Sequence, residues 1–539
     1  MGRYTHTKEP ASCIGVDFGA GSLVIGIALP DGSGYRTLEF PHWSQEMPGT
    51  GTAERIHRVP ALVHYSETGE LAIGDEVMRA GTVAHAATAR WIRTYLLEES
   101  TAQIPAGMDH RVTFRDAAAD FLNAILARTV LEYPGIRSIV FSIPAGAPSW
   151  YAGWLGTIAH AAGIPACRMT NELTAVSTGY DLAVAEGQSF VLVHFDETEL
   201  VISVIRNDGS GDPGRGRPEV AGSAREDTGC RVLDGWIAQD IVARSGVKYT
   251  GTRAQKLYDA ALTGIRDVYS QLARADETSI GFTDPASART ITVRVTREDI
   301  GQILTGHGLP DILDRTLERA RAAAHARRYT EDVPIAVLMT GRGTAIPAVQ
   351  ALVQERFPGV SVRGNRPFDA IARGAVLTAP PTATEDRILN NYALQYWDPA
   401  AREHRYRFLV RNGARFPSDG QVARITISAA YDGQTRLGIP LYEISTTPEV
   451  ASPALELVSD PSGGVRLAGL PDDAAAGIRP VLVNGRTPTL LAADPPALKG
   501  EPRFELTFML DREKNLCVTA RDLATGMLVK KNAPIHRLI

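Results

Sequence analysis

Several absences narrow what this chain can be. Only four cysteines occur among 539 residues, Cys13, Cys167, Cys230 and Cys517, and they lie too far apart for metal-ligand spacing or a disulfide framework. Reduced thiols are therefore expected. Neither sign of charge dominates: 56 Lys and Arg stand against 61 Asp and Glu, a net charge of -5, so there is no basic footprint for nucleic acid and no acidic tail. No window approaches eighteen apolar residues, and the opening stretch MGRYTHTKEPAS has no apolar core of a secretory signal. These absences lead to the expectation of a cytoplasmic protein with neither a membrane nor a nucleic-acid partner.

What is present is ordinary globular composition, 44% hydrophobic and 22% charged, in a chain long enough for several domains. It also contains an internal repeat. Residues 16–32, VDFGAGSLVIGIALPDG, lie without a gap over residues 193–209, VHFDETELVISVIRNDG. Each copy reads as strand, tight turn and returning strand. The first turn, Gly19-Ala20-Gly21, permits positive φ and close backbone approach, as a phosphate-cradling turn requires. The second carries Asp196, Glu197 and Glu199 instead. A carboxylate about 4 Å from a phosphate charge at an effective dielectric near 20 is repelled by roughly 4 kcal/mol, so the second turn is expected to oppose phosphate.

From residue 13 to about 380, short apolar runs alternate with amphipathic ones, which predicts an α/β region. Strands are expected at Cys13–Gly19, Val24–Leu29, Pro60–Tyr65, Ser138–Ile143, Ser189–Phe195, Val201–Asn207 and Ile335–Thr340. A helix over Asp116–Tyr133 places Phe121, Leu122, Ile125, Leu126 and Val130 on one face. Further helices are expected over 234–246, 252–274 and Leu309–Arg328, and a wet loop over Asn207–Arg217. After a linker at 381–390, period-two runs such as Tyr406–Val410, Ala423–Ala429 and Phe504–Leu510 predict an all-β domain over 391–539.

The order of short motifs resembles one family, the heat-shock protein 70 chaperones of the DnaK type. Ile14–Gly19 is similar to that family's first phosphate strand; Arg58–Val63 followed by Ile73-Gly74-Asp75 resembles its R-x-x-P-S-x-V and I-G-D-x-A-K segment. Ile143-Pro144-Ala145 with Thr170–Ala175 resembles its V-P-A and N-E-P-T-A connection. Gly341–Pro347 with Pro367–Ala375 is similar to its G-G-S-x-x-I-P and P-D-E-A-V-A-x-G-A. Pro495–Phe508 and Asn515–Asp522 resemble the last strands of its peptide-binding sandwich.

The resemblance implies a duplicated, two-lobed actin-like ATPase fold over 10–380, joined to a β-sandwich without the family's helical lid. It implies ATP or ADP with magnesium as cofactor, and unfolded polypeptide or a specific protein client as partner. Carried over residue by residue, the catalytic positions are Asp17, Glu172 and His194, the last standing where the family has aspartate, with Asp17 and Asp196 as magnesium-facing carboxylates. The nucleotide contacts are Gly19, Ala20, Gly21, Gly341, Arg342 and Gly343. The peptide contacts are Ile425, Ile427, Leu437 and Ile439, each of which also suits a sandwich core.

Departures from the family pattern shape the functional expectation. The second turn has lost its glycines, the lysine after I-G-D is Met78 with Arg79 beside it, and the adenosine clamp corresponds to Arg266, Tyr269 and Ser270. A register slipped by two residues would put Asp196 rather than His194 at the aspartate position. The expectation is a chaperone homologue with a degenerate nucleotide site and weak or lost ATPase. The alternatives are a slow Mg-ATP hydrolase and a scaffold with no nucleotide at all.

Overall fold

Leu23, Val24, Ile25 and Ile27 are buried along the strand Ser22–Ala28, which returns against Cys13–Phe18 with Val16 opposite Ile25 and Phe18 opposite Leu23. The second hairpin, Ser189–Phe195 with Leu200–Asn207, repeats this register with Val193 opposite Ile202 and Phe195 opposite Leu200. The computed structural model describes Cys13 to Leu538 apart from residues 30–33, 49–54, 109, 145–146, 208–217, 246–251, 273, 285–288, 328, 330–332, 379–387, 389, 399–402, 412–413, 445–454, 460–464, 470–479 and 486–487. The loop expected after Asn207, Ala145 and most of the linker at 381–390 thus lie outside the described residues.

Each hairpin is the centre of a sheet. In the first, the order is Ala166–Asn171, Ser138–Ile143, Cys13–Phe18, Ser22–Ala28, Arg55–Pro60, Gln45–Pro48, with Tyr35–Thr37 on the returning strand. In the second it is Pro218–Glu226, Leu200–Asn207, Ser189–Phe195, Ala336–Thr340, Ser361–Arg363. Both put a parallel crossover strand beside the hairpin's first strand, pairing Cys13 with Ser138 and Val191 with Val337. The strand expected over Pro60–Tyr65 divides: Arg55–Pro60 ends where proline removes a donor, and Val63–Tyr65 joins a separate small sheet.

Helices cover these sheets as their apolar stripes require. Phe114–Glu132 starts at a capping box between Thr113 and Asp116 and buries Phe121, Leu122, Ile125 and Leu126, leaving Val130 half-buried. Glu172–Gly179 is capped by Asn171, whose Oδ1 accepts from the Leu173 N–H at 2.7 Å. It crosses Ala370–Leu377 with no room for side chains. A Cβ on Gly179 would stand 1.8 Å from the Ala370 carbonyl oxygen, and one on Gly374 would stand 1.7 Å from that of Ala175. These contacts explain why both motifs carry small residues there.

The chain divides into two compact units, Met1–Ile143 with Gly156–Pro380, and Pro144–Leu155 with Pro381–Ile539. The second is built on two four-stranded antiparallel sheets. One runs Glu403–Val410, Asn391–Asp398, Leu441–Ile444, Pro480–Leu482; the other runs Ala423–Ser428, Pro502–Leu510, Asn515–Asp522, Leu528–Arg537. Tyr392, Leu394 and Leu409 from the first share one core with Ile425, Phe504, Leu506, Phe508 and Val518 from the second.

Candidate functional site between the two hairpins

The two hairpin turns are built alike. The Gly19 N–H donates to the Ser22 carbonyl at 2.9 Å, and at the matching place the Asp196 N–H donates to the Glu199 carbonyl at 3.0 Å. Together with the strand pairing this settles the repeat in its gapless register, with His194 opposite Asp17 in the alignment. Asp196, Glu197, Thr198 and Glu199 stand in the places of Gly19, Ala20, Gly21 and Ser22 and keep the bond that closes the turn. Neither Gly19 nor Gly21 uses positive φ; the need at Gly21 is space, since a Cβ there would meet the Glu197 Cγ at 2.8 Å and the Asp196 Oδ1 at 3.3 Å. The turns therefore touch.

Two of the three carboxylates of the second turn are paired with arginines. Glu197 takes both arms of Arg342, from Nε at 2.9 Å and Nη2 at 2.8 Å, in a bidentate pair. The same guanidinium reaches Asp234 at 2.7 Å, and the Tyr269 hydroxyl donates to Asp234 at 2.8 Å. Glu199 pairs with Arg225 at 2.7 Å. Asp196 Oδ2 lies 3.9 Å from His194 Nε2, while His194 Nδ1 is 3.0 Å from the Thr340 hydroxyl. Burial disfavours the charge on Arg342, but the attraction of Glu197 and Asp234 overrides it and holds the guanidinium pKa well above the ordinary value. The expectation of a solvated turn whose charges repel phosphate is corrected for Glu197 and Glu199, which are paired with Arg342 and Arg225, while the charge of Asp196 acts on Asp17.

The backbone of the same turn caps a helix. The Cys230 N–H donates to the Asp196 carbonyl at 2.9 Å and the Arg231 N–H to the Glu197 carbonyl at 3.2 Å, at the start of Cys230–Arg244. Gly229 makes this approach possible, since a Cβ there would lie 2.3 Å from the Glu197 carbonyl oxygen. Gly341 and Gly343, expected as nucleotide contacts, are required by packing on the second hairpin. Cβ atoms there would stand 2.4 Å from the Phe195 carbonyl oxygen and 2.6 Å from the Phe195 ring. Arg342 between them, also expected at the nucleotide, is committed to Glu197 and Asp234 and is 5% exposed.

Across from this turn lie Asp17 and Glu172. Arg93 Nη1 holds Glu172 at 2.6 Å, and the Ser142 hydroxyl donates to Asp17 at 3.4 Å. Burial, then the charge of Glu172, push the Asp17 carboxyl up to about 7; Arg93 offsets part of this and Asp196 adds to it. Between about pH 4, the usual aspartate range, and pH 7 the folded state keeps a proton that the unfolded chain has released, so stability falls as pH rises, by at most about 1.4 kcal/mol per unit. Asp17→Asn is expected to leave the calorimetric melting temperature unchanged near pH 4 and to raise it by a few degrees at pH 8. Superimposable pH profiles for the two proteins would refute this.

Other expected residues are placed elsewhere. Arg79 folds back onto Asp75 at 2.5 Å and the His42 carbonyl at 3.3 Å, and Met78 Sδ lies 3.2 Å from Gln45 Nε2. Arg79 is thus directed to its own helix rather than to a phosphate. The side chains of Arg266 and Ser270 lie outside the described residues. Among the described residues, no group of three or more His, Cys, Asp or Glu has the geometry to hold a metal ion, so Asp17 and Asp196 gain no third ligand of that kind. Ile425, Leu437 and Ile439 are buried in the core of the all-β unit, and Ile427 packs half-buried against it. Of the two roles expected for these positions, pocket or core, the first three take the core. The four cysteines are free. Among the described residues no helix is long and apolar enough to cross a membrane.

Arg93, Asp234 and the Arg342–Glu197 pair are what sequence reasoning missed. One signal was available for the pair: two glycine positions of the family pattern depart together, one to an acid and one to a base.

Comparison with known proteins agrees with the motif order. The family model described as Hsp70 protein matches residues 156–387. The chaperone protein DnaK of Thermosipho africanus is 25% identical over 544 residues, covering 95% of this chain and 78% of that protein. DnaK of Thermotoga neapolitana is 23% identical over 542 residues, covering 95% and 78%. Heat shock protein hsp-6 of Caenorhabditis elegans is 23% identical over 562 residues, covering 96% and 75%. Residues 156–387 thus match the Hsp70 family, and the chain is similar to DnaK-type chaperones along 95% of its length at 23–25% identity.

Proposed function

We propose that this protein is a chaperone homologue of the Hsp70 type. In this reading a two-lobed actin-like domain is joined to a β-sandwich that binds unfolded polypeptide or a protein partner, and the ATP site is degenerate, with ATPase activity weak or lost. The chaperone assignment is supported by relatives named as chaperones along 95% of the chain. The degenerate site is supported above all by one contact, the Glu197 side chain reaching Gly21 while held by both arms of Arg342.

The residues present fit a bound Mg-ATP poorly. The space between the turns that phosphates would need is taken by a carboxylate. The cation nearest it has two carboxylate partners, and the first N–H groups of Cys230–Arg244, a natural anion site, are spent on the carbonyls of Asp196 and Glu197. We therefore derive no hydrolytic step. The Glu197 carboxylate stands where an anionic ligand's oxygen would otherwise meet a guanidinium, so the two sides of the site are bridged by the chain itself.

Isothermal titration with Mg-ATP tests this. The unaltered protein is expected to show no binding tighter than about 1 mM, and Glu197→Gly combined with Arg342→Gly is expected to gain at least about tenfold in affinity. Tight binding with turnover by the unaltered protein would instead establish a slow hydrolase.

A further inference from the structure

The strand Glu403–Val410 is the outermost of its sheet, paired on one side with Asn391–Asp398 and, among the described residues, with no strand on the other. An unpaired edge presents a row of backbone N–H and C=O groups, the template on which an extended segment can add as a further strand. Natural edges are commonly blunted by proline, by a bulge or by brevity. This one spans eight residues without proline, and its one irregularity lies at the Tyr392/Ala393 end. A cavity of about 580 Å³ runs beside it, lined by the six consecutive residues from Tyr406 to Arg411 and closed by Ala414 and Val422.

Beyond Glu403, which begins the strand, the charge along this edge is positive. From His404 to Ser418 the sequence holds Arg405, Arg407, Arg411 and Arg415 and neither Asp nor Glu, in a chain whose net charge is -5. Arg407 and Arg411 are exposed, both line the cavity, and among the described residues no carboxylate pairs with either. Arg411 is already oriented, its guanidinium 4.7 Å from the centre of the Phe408 ring. Elsewhere in the molecule surface arginines are routinely matched, as Arg424 is by Glu505 across neighbouring strands at 2.6 Å. Among the described residues the same cross-strand pairing is left open at Arg407.

We propose that this edge is a docking site for an extended acidic segment of a partner protein, which pairs with the strand through its backbone and presents carboxylates on alternate residues to Arg407 and Arg411. Six residues of contact span about 20 Å, enough for a strand of ordinary length. Charge complementarity sets the occupant: opposite charges directly across strands stabilise and like charges repel. The site is separate from Ile425 and Ile427, which belong to a strand of the other sheet.

The test uses the full chain and three fluorescent ten-residue peptides, one alternating Glu and Val, one alternating Gln and Val, and one with the same glutamates but proline in place of valine. Anisotropy is expected to show binding of the Glu-Val peptide, weakened at least tenfold by the double variant Arg407→Glu and Arg411→Glu and weakened progressively by salt. The Gln-Val and Glu-Pro peptides are expected to bind at least tenfold more weakly. Circular dichroism of the variant checks that these exposed substitutions leave the fold intact, and Arg407→Gln with Arg411→Gln, expected to give a smaller loss, provides a second measure. Equal binding by the charge-reversed protein, or a Glu-Pro peptide that binds as well as Glu-Val, overturns the proposal. So does a preference for single-stranded RNA over all three peptides.

Discussion

Arg342→Ala is expected to lower the stability of the α/β unit by about 3–5 kcal/mol, the loss typical when one member of a buried ion pair is removed and its partner left charged. Here two partners are left. Arg342 is 5% exposed and its carboxylates, Glu197 and Asp234, are 16% and 12% exposed at the side chain, so neither recovers full hydration once the guanidinium is gone. They would also repel each other across the space it occupied. Arg342→Lys is expected to recover only part of the loss, because an ammonium cannot reproduce the two-armed contact with Glu197. Removing Glu197 together with Arg342 should cost less than the two single changes added, by at least about 1 kcal/mol. Differential scanning calorimetry of the full chain measures the four variants against the unaltered protein, and an Arg342→Ala protein within about 1 kcal/mol of the unaltered one would show that the network carries little.

The second large effect is expected in the all-β unit. Arg503 and Asp522 lie 2.8 Å apart with side chains 1% and 3% exposed. Asp522 Oδ1 also accepts the Ala524 N–H at 2.9 Å and the Thr525 N–H at 3.4 Å, so one carboxylate both neutralises a buried cation and shapes the turn after its strand. Burial works against this carboxylate, but Arg503 and the two backbone donors outweigh it and hold the pKa below the usual range. Its contribution is therefore complete above about pH 4, the unfolded value, and is lost as pH falls through the lower folded value. Asp522→Asn keeps a group able to accept from the turn but leaves Arg503 without its counter-charge, and is expected to cost about 3–5 kcal/mol. Replacing both members by apolar residues, Arg503→Met with Asp522→Leu, should recover much of the loss of the pair though not of the turn. Urea unfolding followed by circular dichroism reads both. Single and double variants of equal stability would mean that the turn, not the charge pair, is what matters.

Much of the fold was legible because its signals are short-range. The apolar run of Ser189–Phe195 and the apolar stripe of Phe114–Glu132 each depend on residues a few positions apart. Where a local rule was misapplied, the error was local too. The run from Pro60 to Tyr65 is apolar but for His64, yet the chain leaves one sheet at Pro60 and enters another at Val63. The four apolar positions assigned to peptide binding shared a weakness of another kind: alternation shows that a side chain turns to one face, but which face is the core is set by the opposing sheet.

The candidate site divides along the same line. By itself the sequence determined the duplication, the order of an α/β region before a β region, and the acidic character of the second turn; strand pairing then chose the gapless register over the slipped one. Only the tertiary structure decided what those acids do. Glu197 finds Arg342 at a separation of 145 residues, and Arg93 finds Glu172 at a separation of 79. A carboxylate in water repels phosphate; the same carboxylate against a buried guanidinium is neutralised and fills the space itself. Which of these applies depends on its nearest opposite charge and on the solvent left around it, and both are set by where distant segments cross, which no local pattern in the chain encodes.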